Sequence, residues 1–380
     1  MSNHNRKRIR LLDILRGIAI LGTLGTNIWI FSNLGDISYI FTFEHYEWWN
    51  SFNDFLRILS LSLINGKLLG LLSIMFGIGL ELKYQQSLRK GQPWPGVYLW
   101  TALFLMFEGF LHFTLVMEYD ILMAYAVAAI IVSFIVKGSE KFIIGSMLLF
   151  GSFHFFLILL IFLVILTQNV SGNIFGSMQE IVALYQHGTW LEQVQYRFSN
   201  FLALRSEAIF TIPLNILLFL TGVLLMRKGA FADNEKGRLI RRKMLKIGLW
   251  VGLPLNLLLF IPGGLFDFPV RYLFAPILSI GYMGLISYLV DNMKSLRLWG
   301  VLEKVGTMSL SCYVMQNILC SIIFYGWGLG IGPIESSLLT LLLWGLVSVL
   351  QVLFVILWLN FYKFGPLETG RKFMMRLVSR

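Results

Sequence analysis

Charge is what this sequence has least of. Lys, Arg, Asp and Glu make up 13% of 380 residues, against 57% hydrophobic and a mean hydropathy of +0.74. So few charges cannot cover a soluble globule of this size, which excludes an ordinary soluble domain and calls for lipid as solvent. Cysteine is nearly absent. Cys312 and Cys320 lie eight residues apart in one apolar stretch, about 12 Å along a helix and beyond the reach of a disulfide. They read as small buried apolar residues and reveal no redox compartment. Nucleotide-binding glycine loops, zinc-type His/Cys clusters, Gly-x-Ser-x-Gly elbows and rings of channel charges are all missing. So are a soluble domain, a low-complexity tract and a repeat of about 20–50 residues.

What is present is a series of long apolar runs. A spanning helix needs about 20 mainly apolar residues, and segments near 11–31, 62–80, 97–117, 120–136, 142–166, 208–226, 244–261, 272–290, 305–327 and 337–361 meet that need. The second is the weakest, because Asn65, Gly66 and Lys67 interrupt it, and its helix can begin near Leu68. The expected fold is therefore all-α, a polytopic membrane bundle of about ten helices, with residues 1–380 forming one integral membrane domain. The first run exceeds twenty residues with no small-residue cleavage site after it, so it reads as a retained helix and not a signal peptide.

The net charge of +11 does not point to nucleic acid, since the basic residues fall in short clusters between apolar runs without aromatic interleaving. Membrane topology explains them. With Met1 inside, twenty-five of the 31 Lys and Arg fall in cytoplasmic segments. Only Arg57, Lys67, Arg197, Arg205 and Arg271 fall outside, and Arg16 lies within the first helix. Both termini are expected in the cytoplasm. The outer loops 32–61 and 167–207 are long, the latter with a helical stretch from Met178 to Asn200, and both suit the membrane surface. The main inner loop, 227–243, is too short for a domain.

Ionisable groups inside a bilayer usually face a cavity or a partner, because each costs at least about 2.5–3.5 kcal/mol at a helix centre. Asp13 and Arg16 lie three apart near the cytoplasmic end of the first helix. They form either a local ion pair or an anchor for an anionic ligand, to which the Arg fork is suited. Asn27 lies eleven residues beyond Arg16, about 16 Å along the helix. It is either the far mouth of the same cavity or a simple interhelical bond. In the third segment Glu108 and His112 stack four apart, with Glu118 and Asp120 at the outer turn. A histidine among carboxylates can be held in one tautomer as a base, although structural pairing explains the same pattern. His45, in the first outer loop, is a rival base, while His154 reads as a core histidine. Glycines at Gly66, Gly70, Gly77 and Gly79 read as close helix contacts.

Four sets of motifs, running from residue 12 to residue 368, together resemble the YeiB family of bacterial membrane proteins. They are Leu12-Asp13-Ile14-Leu15-Arg16-Gly17 with Asn27; Phe76-Gly77-Ile78-Gly79; Gly109-Phe110-Leu111-His112 followed by Asp120 and Tyr125; and Gly306 to Gln316, including Ser309 and Tyr313, with Gly365-Pro366-Leu367-Glu368. The first helix also resembles the wider transmembrane acyltransferases, including heparan-α-glucosaminide N-acetyltransferase, which share an Asp-x-x-Arg-Gly start. The resemblance implies an acyl-CoA-dependent transferase in the bacterial cell membrane, with an acceptor that is extracytoplasmic or lipid-linked. Acyl-CoA would be a co-substrate, with no tightly bound cofactor and no metal. It implies that Asp13, Arg16, Asn27, Tyr125, Ser309 and Gln316 bind donor or substrate, and that His112 acts as base with Asp120 beside it. His45 ahead of Trp48 imitates the catalytic context of the sugar acetyltransferase, so the base stands between His112 and His45. A secondary transporter or flippase with a polar path through the bundle is the alternative, and the oligomeric state is open.

Overall fold

The structure, a computed structural model, describes residues 9–42, 48–168 and 177–378. Among the described residues every regular element is helical. The helices are α1 (Arg10–Ser32), α2 (Phe52–Ile64), α3 (Lys67–Arg89), α4 (Val97–Leu115), α5 (Leu122–Ile135), α6 (Glu140–Gln168), α7 (Gln179–His187) and α8 (Trp190–Ser199). Beyond them come α9 (Ala208–Arg227), α10 (Glu235–Ile247), α11 (Ala275–Asn292), α12 (Arg297–Thr307), α13 (Ser309–Phe324), α14 (Ser337–Phe361) and α15 (Pro366–Val378).

Eight helical stretches among these are long and apolar enough to cross a membrane. The chain is a multi-pass membrane protein. Of the ten expected segments, eight are found at full length, 120–136 is the short helix α5, and 305–327 is broken. There α12 and α13 meet at 86°. The break has a local cause: Met308 leaves helical geometry, and the Glu368 carboxylate accepts from the amides of Leu310 and Ser311 at 2.9 and 3.2 Å. A carboxylate satisfying those orphan donors lets a new helix start inside the bundle.

Two other boundaries also differ from the expectation. Helix α2 occupies the last third of the expected outer loop 32–61 and continues into α3 through Asn65 and Gly66, so the second span begins at Phe52. Gly66 supplies the left-handed conformation of this turn, with φ of 78°. Helices α7 and α8 are fastened to the end of α4, where a surface position was expected. Arg197 is fully buried and donates to the Thr114 carbonyl and the Tyr185 hydroxyl, each at 2.9 Å; Trp190 donates to the Leu115 carbonyl. Tyr185 in turn donates to Glu118 at 2.5 Å, and burial pushes that carboxyl up from its ordinary range while Arg197 opposes the shift. Removing a buried partner from such a set typically costs about 3–5 kcal/mol. Arg197→Ala should therefore lower the melting temperature in detergent sharply, and Glu118→Gln less.

Helix α1 is buried along most of its length and packs against α3, α12, α13 and α14. It can approach α12 so closely because the contact is between backbones: a Cβ on Gly306 would lie 1.8 Å from the Asp13 carbonyl oxygen. At the periphery, α6 exposes Leu148, Leu149, Phe153, Phe156 and Leu160, as a lipid-facing helix must.

Candidate functional site

The end of α4 and the turn into α5 carry the polar centre of the bundle. His112, in the last turn of α4, is buried, with Nδ1 3.0 Å from Asp120 Oδ1. The other Asp120 oxygen accepts from the Met123 amide at 3.0 Å, which caps the start of α5. An ionised Asp120 has nothing to donate, so Nδ1 carries the proton and Nε2 keeps its lone pair. Asn317 of α13 approaches that nitrogen, with Nδ2 to Nε2 3.1 Å. Asn27 of α1 lies behind it, donating to Asn317 Oδ1 at 3.4 Å. Tyr313, one turn before Asn317, sets its ring 5.0 Å from the imidazole. Three helices and a turn thus converge on one histidine: Asp120–His112–Asn317–Asn27.

Beside this chain is a cavity of about 90 Å³. Asn27, Asp120, Tyr125, Asn215, Arg205 and Arg271 are among its lining residues, and Ile30, Leu69, Leu214 and Leu218 make its walls apolar. Tyr125 donates to the Leu69 carbonyl at 3.0 Å, and Ser73 Oγ stands 2.8 Å from its hydroxyl and 2.9 Å from Asn215 Oδ1.

The remaining sequence candidates are distributed elsewhere. Asp13 and Arg16 form the local ion pair at 3.3 Å, with Asp13 buried and Arg16 partly exposed. Gln316 points to Thr23 Oγ1 at 3.4 Å and receives Gln351 Nε2 at the same distance, joining α13 to α1 and α14. Ser309 opens α13 and is half-buried. His45 lies outside the described residues. His154 bonds the carbonyls of Phe210 and Tyr272 at 3.0 and 2.9 Å, as a core histidine does. Glu108 is not the carboxylate of His112: it pairs with Arg371 of α15.

Sequence reasoning missed Asn317, although a Gln-Asn pair inside an apolar run is a visible signal. It also missed Arg205 and Arg271, because topology counted them simply as outer-loop charges.

The family described as a protein of unknown function (DUF418) matches residues 225–376. The uncharacterized protein YxaH of Bacillus subtilis (strain 168) is 24% identical over 95% of this chain and 92% of its own length. The uncharacterized protein YeiB of Escherichia coli (strain K12) is 27% identical over 94% and 93%. No solved structure matches the chain. Similarity to both relatives over nearly the whole length, together with the family match across residues 225–376, supports the resemblance of this chain to the YeiB (DUF418) family.

Proposed function

We propose that this protein is a membrane-bound acyltransferase that moves an acyl group, an acetyl group in the simplest case, from cytoplasmic acyl-CoA to an extracytoplasmic or lipid-linked acceptor. In this reading it resides in a bacterial plasma membrane with both termini in the cytoplasm, an orientation supported by the Lys and Arg distribution. The observation that carries it is His112, buried and held between Asp120 and Asn317 next to a cavity. A base so oriented removes the proton of an acceptor hydroxyl as its oxygen attacks the thioester carbonyl. The new C–O bond forms, the C–S bond breaks, and the proton passes through Nε2 to the departing CoA thiolate. For that, the Asn317 amide must move off Nε2. It then becomes available, with Asn27, to donate to the developing oxyanion. Arg16, at the opposite end of α1, suits the donor's phosphates, and rotation away from Asp13 would free its fork.

A secondary transporter or flippase is the second reading. It is favoured by the wide i→i+5 turns at Gly248–Gly252 and Val270–Phe274, which interrupt two neighbouring helices in the manner of movable spans. Calorimetric titration of purified protein with acetyl-CoA and longer acyl-CoAs separates the two. The transferase predicts saturable binding that weakens at least tenfold in Arg16→Ala. No binding of any acyl-CoA, with uptake into vesicles that follows a proton or sodium gradient, would select transport.

A further inference from the structure

Five basic residues sit on the side of the bundle that is otherwise poor in them, and none of the five is exposed: Arg57, Lys67, Arg197, Arg205 and Arg271. Arg57 spends Nη1 on the carbonyls of Tyr39 and Phe41, at 2.9 and 3.0 Å. Lys67 meets the Leu61 carbonyl at 3.2 Å, and Arg197 fastens α8. These three hold the fold together. Arg205 and Arg271 instead line the cavity beside Asp120.

Both guanidiniums keep bonds to the protein, and Arg271 also keeps a buried N–H that these bonds leave over. Arg205 gives Nη1 to the Asp120 main-chain oxygen at 2.8 Å and lies over the Phe113 ring. Among the described residues no carboxylate comes within ion-pair distance of it. Arg271 stands in the wide turn Val270–Phe274, over the rings of Phe41 and Tyr272. Its Nη1 bonds Asn65 and its Nη2 lies 3.7 Å from Glu207, while its Nε is buried with no hydrogen-bond partner among the described residues. The two carboxylates in the lining are already engaged. Asp120 serves His112 and the Met123 amide, and Glu207 accepts the Tyr272 hydroxyl at 2.6 Å. An apolar environment makes an incompletely bonded guanidinium expensive, so a ligand that completes its bonds is strongly favoured.

We infer that Arg205 and Arg271 bind a phosphate group in this cavity. Two guanidiniums carried by separate segments, with Asn27 and Asn215 in the same lining, present donors from several directions. That suits the tetrahedral oxygens of phosphate, whereas a planar carboxylate matches one fork. Ile30, Leu69, Leu214 and Leu218 in the same lining offer apolar contact to a chain that the phosphate carries. Under the transferase reading, on which this assignment of role rests, the phosphate belongs to the acceptor and holds it within reach of His112. The binding site itself does not depend on that reading.

The test is calorimetry on the full-length protein in neutral detergent, without acyl-CoA, so that its outcome is independent of donor binding. The probes are dihexanoyl phosphatidate, inorganic phosphate and uncharged dihexanoylglycerol. Saturable binding of a phosphate probe is expected, with affinity at least tenfold lower in Arg205→Gln and in Arg271→Gln and with no comparable binding of the glycerolipid. Tight phosphatidate with weak inorganic phosphate identifies a lipid-borne group; equal affinities identify a soluble one, and the phosphate site stands in both cases. Should Arg205→Gln fail to fold, Arg205→Lys keeps the charge and removes the fork, and a several-fold loss is expected. The comparison of charged with uncharged lipid needs no variant at all. Equal binding of phosphatidate and dihexanoylglycerol, absence of binding by either phosphate probe, or unchanged affinity in the folded variants overturns the proposal.

Discussion

Replacing His112 by Ala should reduce release of free CoA from acetyl-CoA, in membranes that supply the native acceptor, by about 10²–10⁴-fold, the usual contribution of a positioned general base. Acetyl-CoA binding should survive, because Arg16 and Asp13 lie at the other end of α1. Asp120→Asn should come close to the same loss by another route. An amide facing Nδ1 can donate to it, which favours the tautomer with the proton on Nε2, where it is useless for accepting a proton. Asn317→Ala should be milder, because it removes one donor to the oxyanion and leaves the His112–Asp120 pair at 3.0 Å intact. The ordering matters more than any single value. If His112→Ala and Asp120→Asn turn over thioester at the wild-type rate while remaining folded, His112 is not the base. Attention then moves to His45.

How much of this was readable from residues alone depends on the range of the interaction. The spans were legible because hydropathy over about twenty residues is a local property, and each of the ten apolar segments contains or meets a helix. The break at Met308 was not, since it depends on Glu368, nearly sixty positions away, reaching back to the Leu310 and Ser311 amides. Spacing four apart put Glu108 on the face of His112, yet the carboxylate that reaches the ring comes from Asp120, because the chain turns between α4 and α5. Glu108 went to Arg371 on a helix whose position no local pattern encodes. Sequence placed Asn27 and His112 in one functional unit only through resemblance. The bond that connects them passes through Asn317, which long-range packing of α13 supplies. Charge counting found the five inward-facing cations but assigned them to loops, since burial is not visible in a tally.

The second large effect is expected where α3 crosses α9 at two glycines. A Cβ on Gly77 of α3 would lie 1.9 Å from the Phe219 carbonyl oxygen, and one on Gly222 of α9 would lie 2.1 Å from the Ile74 carbonyl oxygen. In both cases the obstacle is backbone, so no rotamer relieves it, and the two helices must separate by more than an ångström. Gly77→Ala and Gly222→Ala should each cost about 2–3 kcal/mol, at the upper end of overpacking penalties. The double variant should cost clearly less than their sum, because one displacement relieves both clashes. Gly345→Ala, where nothing lies within 4 Å, is the control and should be neutral or slightly stabilising through helix propensity. Melting in detergent reads all four; a Gly77→Ala protein as stable as the Gly345→Ala protein would show that the crossing is looser than its geometry. The consequence reaches the cavity. Phe219 packs with Phe76 and Tyr125, ring centroids 5.8 and 5.6 Å away, and Tyr125 lines the chamber beside Asp120. Spreading α3 from α9 therefore moves a wall of the site, and variants that still fold should lose phosphate affinity along with stability.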